Sequence, residues 1–131
     1  MSKDIIEDFD NQEIDNLKIK IQKIKSIEGC LLFHLTGTID TFNSEQFNNK
    51  INMLIDQGFI KLIFHCGNID YISSTGIGSF TSFLESVTKK DGEIVIINLQ
   101  SKNYQIFQNL GFTSFFEFRD NLEDAIAFIN K

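Results

Sequence analysis

An α/β domain is the fold class this sequence predicts: a single mixed, mostly parallel sheet that opens on an N-terminal β-hairpin and carries about four helices. Three observations predict it. Strand-like apolar runs and stretches of helical spacing alternate over most of the chain, and a repeated strand–helix–strand succession requires parallel strands joined by crossover helices. The first two strand-like runs are separated only by a turn, which makes them a hairpin. The 131 residues suit one domain with one core.

The elements follow in order. Residues 1–16 are acidic and lack a clear period, so they read as a flexible or loosely docked extension, with Ile5, Ile6, Phe9 and Ile14 available to cover a patch. The domain proper then spans 17–131. Leu17 to Gln22 alternates apolar and polar residues, the pattern of a half-buried strand, and its lysines form the wet face. A turn through Glu28-Gly29 leads to a second strand at Leu31–Leu35. After Asp40, Asn43 and Gln46 have the spacing of a capping box, with Ser44 as the alternative cap. The helix behind them aligns Phe47, Ile51, Leu54 and Ile55 and ends near Gly58.

Residues 60–66 form a compact apolar run and read as a buried strand. Ile77, Phe80, Leu84 and Val87 then give a second helix. Glu93 to Ile97 is nearly continuous and β-branched, as in a strand covered on both faces. Ser101 is expected to cap a third helix with Tyr104, Phe107 and Leu110 inward and Gly111 closing it. Phe115–Phe118 makes a last short strand. Asn121 caps a final helix whose stripe is Leu122, Ala125, Ile126 and Ile129, with Glu123 and Asp124 complementing its dipole.

Composition excludes several classes. The formal charge of -6 leaves no basic footprint for nucleic acid. No apolar run is long enough to span a bilayer and the first residues are no signal peptide, so a cytoplasmic protein is expected. Cys30 and Cys66 each lie within an apolar run and read as buried free thiols. His34 and His65 fall in separate strands, which leaves no zinc spacing and no nucleophile–base–acid set; the reading is a binding module, not an enzyme, with no cofactor. Most of the 14 phenylalanines sit at core spacings, while Phe112, Phe115, Phe116 and Phe118 crowd one region that self-association would use if exposed.

The stretch Ile69 to Phe80 is the most informative. Ser73, Ser74 and Thr75 stand where a strand hands over to a helix, a place whose unpaired N–H groups and positive dipole favour a hydroxyl or an anion. Gly76 and Gly78 remove bulk beside them. A serine there is usually only an N-cap, and neither of the common phosphate-loop patterns is present, so a nucleotide site ranks last among the readings. Partner sites in parallel sheets lie at the carboxyl ends of strands, which makes the Asp40 loop and the serine loop candidates for one shared surface.

Together, Leu35-Thr36-Gly37-Thr38-Ile39-Asp40 and Ile69-Asp70-Tyr71-Ile72-Ser73-Ser74-Thr75-Gly76-Ile77-Gly78, with Leu110-Gly111-Phe112 after the third helix, resemble the STAS domain over roughly residues 17–130. More narrowly they resemble the bacterial anti-sigma factor antagonists. That resemblance implies a phosphoserine at Ser74 and a docking surface of Asp40, Ser73, Ser74, Thr75, Gly76 and Ile77. It implies an anti-sigma factor of the GHKL serine-kinase type as partner, and a PP2C-type phosphatase that reverses the modification. A monomer or weak homodimer, with no direct contact to nucleic acid or membrane, completes the expectation. Many regulated members carry an acid before the phosphoserine; this chain has Ser73. The departure motivates an alternative, a STAS adaptor subunit of another signalling or transport complex that works without phosphorylation. For Asp40 the competing assignment is a loop carboxylate that caps nearby N–H groups.

Overall fold

The computed structural model describes residues 6–131. Six strands lie side by side in chain order: β1 (Ile6–Ile14), β2 (Leu17–Ile24), β3 (Cys30–Ile39), β4 (Lys61–Ile72), β5 (Glu93–Ile97) and β6 (Glu117–Arg119). The β1–β2 and β2–β3 pairs are antiparallel, and β3 to β6 are parallel. Four helices accompany them: α1 (Ser44–Asp56), α2 (Ser74–Thr88), α3 (Ser101–Asn109) and α4 (Leu122–Ile129).

The parallel strands advance in one direction across the sheet, so right-handed crossovers place α1, α2 and α3 on the same face. Their apolar stripes meet Leu31, Phe33, Phe64 and Cys66 in the larger core. Phenylalanines dominate it. Phe64 stacks on Phe33 at 4.7 Å and meets Phe80 edge-on at 5.1 Å, and Phe47 and Phe83 pack round them. A smaller core on the opposite face joins Cys30, Leu32, Ile63, Val95 and Ile97 to Ala125 and Ile129 of α4. With both faces covered, β5 needs no polar alternation, which matches its sequence. Between α1 and α2 runs a polar seam: Ser79 Oγ donates to the Ser44 carbonyl (3.3 Å), Ser82 Oγ to Asn48 Oδ1 (3.3 Å) and Ser86 Oγ to Asn52 Oδ1 (2.9 Å). It locks the two helices in register.

Three sequence expectations change. The extension over residues 1–16 is not loosely docked where it is described: Ile6–Ile14 form the edge strand β1. Phe9 packs edge-on against Phe59 at 5.2 Å, and Lys50 Nζ lies 2.9 Å from Asp10 Oδ2, which holds the Asp10 carboxyl below its usual range. The strand is hard to read because an edge is mostly wet and a register shift between Asp8 and Asp10 breaks its alternation. Ile5 lies outside the described residues.

In α3 the N-cap is Gln100 rather than Ser101, and Asn103 and Phe107 are buried whereas Tyr104 and Leu110 are exposed. The inward stripe is shifted because Asn103 bonds to β4. Gly111 closes the helix as expected, at φ 77°, with Phe112 N–H donating to the Phe107 carbonyl. The last strand covers 117–119, not 115–118; Phe116 is buried and Phe115 is exposed. Among the described residues, no helix is long and apolar enough to cross a membrane.

Candidate functional site: the serine loop

The site begins with an overhang. β5 pairs with β4 only as far as His65↔Ile97, yet β4 continues to Ile72. On one side β3 accompanies it to Ile39↔Ile72 through two register shifts. On the other side, side-chain amides replace the missing strand. Gln100 Nε2 donates to the Gly67 carbonyl (3.0 Å), and Asn103 Nδ2 donates to the Ile69 carbonyl (3.1 Å). Asn103 is fully buried. Without these amides, carbonyls at the overhang would be left unpaired in a partly buried place.

At the end of the overhang the chain turns into α2. Ser73 is extended (φ -73°, ψ 167°), donates its N–H to the Ile39 carbonyl (2.9 Å), and accepts from the Gly76 N–H at its Oγ (3.1 Å). It is the N-cap. Ser74 and Thr75 begin the first turn with exposed side chains. Gly76 and Ile77 are buried, so they shape the turn and offer no side-chain surface to a partner. A Cβ on Gly76 would stand 2.8 Å from the Ile39 carbonyl oxygen and 2.8 Å from Ile39 Cγ2. Only glycine lets α2 start this close to β3.

The Asp40 loop lies alongside. Asp40 Oδ1 accepts from the Phe42 N–H (2.9 Å) and the Asn43 N–H (3.2 Å), while the Asp40 N–H donates to Asn43 Oδ1 (3.0 Å). Asn43 Nδ2 also donates to the Thr38 carbonyl (2.9 Å). Asn43 is therefore not the side-chain half of a capping box with Gln46; it is fully buried and ties the loop back on β3. The capping role set against docking for Asp40 is present in this geometry. Both loops meet, as their place at neighbouring strand ends requires. Thr41, Ser44, Glu45, Thr75, Gly78 and Ser79 line one depression of about 330 Å³ between them.

Two residues at this surface escaped the sequence reading. Phe42 is 85% exposed and Tyr71 is 50% exposed. For Phe42 the signal was present: it falls outside the stripe of Phe47, Ile51, Leu54 and Ile55 that α1 buries. For Tyr71 the signal was masked, because a register shift between Ile69 and Tyr71 leaves Asp70 and Tyr71 exposed side by side and breaks the alternation there.

The remaining titratable groups lie elsewhere. Burial pushes the Cys30 and Cys66 thiols up to about 12, so both stay protonated and unreactive. His34 and His65 sit side by side on β3 and β4, with ring centroids 5.5 Å apart. His34 Nε2–H donates to Gln22 Oε1 (2.8 Å), and burial, then His65, then Lys20 hold its pKa below the usual histidine value. Among the described residues, no group of three or more His, Cys, Asp or Glu side chains is arranged to hold a metal ion.

This architecture has relatives. BtrV of Bordetella bronchiseptica, provisionally named an anti-sigma factor antagonist, is 28% identical over 111 residues, spanning 85% of this chain and 93% of that protein. The anti-sigma-B factor antagonist of Bacillus subtilis is 26% identical over 88 residues, or 67% of this chain and 80% of that one. The unphosphorylated anti-sigma factor antagonist SpoIIAA superposes with a TM-score of 0.69 at 20% identity, over 86% of this chain and 97% of its own. The STAS domain family model matches residues 19–125. Spanning nearly every element from β2 to α4, that match makes this chain a member of the STAS domain family.

Proposed function

We propose that this chain is an anti-sigma factor antagonist: it binds an anti-sigma factor that is also a GHKL-type serine kinase, releases the sigma factor, and is switched off by phosphorylation at Ser74. The observation that carries the reading is the placement of Ser74. Its hydroxyl is exposed in the first turn of α2, beside the Asp40 loop, while Ser73 supplies the cap. The family names of the relatives support the same role.

The switch follows from electrostatics. A phosphate on Ser74 adds about -1.5 to -2 charges. At a helix N-terminus that charge meets the positive end of the dipole and N–H groups without intrahelical partners, a gain of roughly 0.3–1 kcal/mol. The fold therefore tolerates the phosphate. A partner seated over Ser74 must desolvate it, and an unmatched interfacial charge costs about 2–5 kcal/mol. Since about 1.4 kcal/mol is tenfold in affinity, this suffices for on–off control without a large change of shape. Ser73 and the family's aspartate are both good N-cap residues, so the departure at this position leaves the start of α2 intact. What it removes is one negative charge that a kinase would read. A PP2C-type phosphatase would restore the binding form, and the whole cycle would run in the cytoplasm.

Intact-mass and peptide mass spectrometry of protein purified from its own cells tests the reading. A phosphate on Ser74, with binding to the kinase in ADP lost on phosphorylation, is the expected result. An unmodified Ser74 across growth and stress conditions would instead favour an adaptor that uses the same loop unphosphorylated.

A further inference from the structure

Phe42 is the most exposed of the large apolar side chains described. Nothing in the core accounts for it, yet its backbone is held. The Phe42 N–H is bound by Asp40 Oδ1, and the next residue, Asn43, is fully buried with bonds to Asp40 and the Thr38 carbonyl. An aromatic side chain presented from a fixed loop loses little freedom on binding, which is what distinguishes an interface anchor from an exposed residue of no consequence. Tyr71 is the second such group. It stands on the β4 overhang, paired in register with Thr38, on the strand that delivers Ser74.

Acidic groups accompany these two aromatics on the segments that carry them. The β3–α1 and β4–α2 stretches that carry them, residues 26–49 and 62–88, contain no lysine and no arginine. They do contain Asp40, Glu45 and Asp70. Glu45 lines the depression shared with Thr75, and Asp70 is exposed next to Tyr71. A face of this kind attracts a cationic one and repels its own copies.

We infer that the anti-sigma factor docks here through an apolar pocket rimmed by lysine and arginine, taking Phe42 of the Asp40 loop and Tyr71 of the β4 overhang as anchors. This rests on the antagonist reading and adds to it the chemistry of the partner's face. The two components act on different steps: aromatic anchors govern how long the complex lasts, and the acidic rim governs how fast it forms.

The test measures association and dissociation rates of the unphosphorylated protein with each serine-kinase anti-sigma factor of its own organism, purified in ADP, at two salt concentrations. Phe42→Ala is expected to raise the dissociation rate at least about 30-fold and to change the association rate by less than about threefold. Tyr71→Ser, a second variant on a different element, is expected to act in the same direction. Glu45→Gln combined with Asp70→Asn is expected to slow association about tenfold at low salt and to flatten its salt dependence. Melting curves of the free variants verify that they fold. If the wild type binds one of these proteins and neither aromatic variant dissociates more than threefold faster, or its association is indifferent to salt, the inference is overturned and the antagonist reading stands. If the wild type binds none of them, the antagonist reading itself falls, and the inference with it.

Discussion

Gly76 and Gly78 are two residues apart in α2 and look alike in sequence, but their surroundings are opposite. A methyl group at Gly76 meets the Ile39 carbonyl and the Ile39 and Ile72 side chains at 2.8–3.0 Å, whereas one at Gly78 meets nothing within 4 Å. Gly76→Ala must push α2 away from β3 and is expected to destabilise by about 1–3 kcal/mol. Gly78→Ala only removes backbone freedom within a helix and is expected to stabilise by up to about 1 kcal/mol. Urea unfolding of both variants reads the two signs, and shifts in the same direction would refute the close approach of α2 to Ile39. The Asp40–Asn43 pair carries the same lesson. Its spacing of three is that of a capping box, but the bonds form one helical turn earlier, with Asp40 as the reciprocal partner in place of Gln46.

At the scale of elements, the long β4 is the feature on which the site depends. It projects beyond β5, and α3 covers that gap with amides instead of backbone. Asn103→Ala would leave the Ile69 carbonyl without its donor in a buried place, a cost of about 1–3 kcal/mol. Amide hydrogen exchange is expected to quicken most over residues 69–73; acceleration spread evenly through the sheet would show that Asn103 does not hold the overhang. The stripe of α3 was misread for this reason, since a polar residue facing inward is invisible to a search for apolar periodicity. The edge strand β1 was missed for the converse reason, that an edge has little apolar face to reveal. By contrast, α1, α2 and α4 bury Phe47, Ile51, Phe80, Val87, Ala125 and Ile129 as their spacing predicts.

Across the whole molecule, one face of the sheet carries a polar row that crosses four strands: Gln22 Nε2 donates to Asp8 Oδ1 (2.8 Å), His34 Nε2–H to Gln22 Oε1, and His65 adjoins His34. The depressed pKa of His34 gives this row a pH signature. The unfolded chain binds a proton near the ordinary value of 6.5, and the folded chain resists doing so. Stability contributed by the neutral ring is therefore present above pH 6.5 and is lost as pH falls through the folded value. Unfolding free energies measured between about pH 5 and 8 are expected to decline on the acid side, with a shallower decline in His34→Gln. An identical slope in the variant would remove His34 as the cause.

What the sequence by itself determined is the order of strands and helices from β2 onward, the identity of the larger core and the position of the serine turn. Those follow from periodicity, Gly111 and the Asn121 cap, which are local properties of the chain. The resemblance to the STAS domain rested on the same local stretches, and the family match confirms it. What only the tertiary structure decided is which groups share a surface. Ser73 bonds to Ile39, 34 residues earlier by count (73 minus 39), and Glu45 shares a depression with Thr75 only because β3 and β4 end side by side. Pairing across such distances depends on burial and register summed over the whole sheet, which no single stretch of residues encodes.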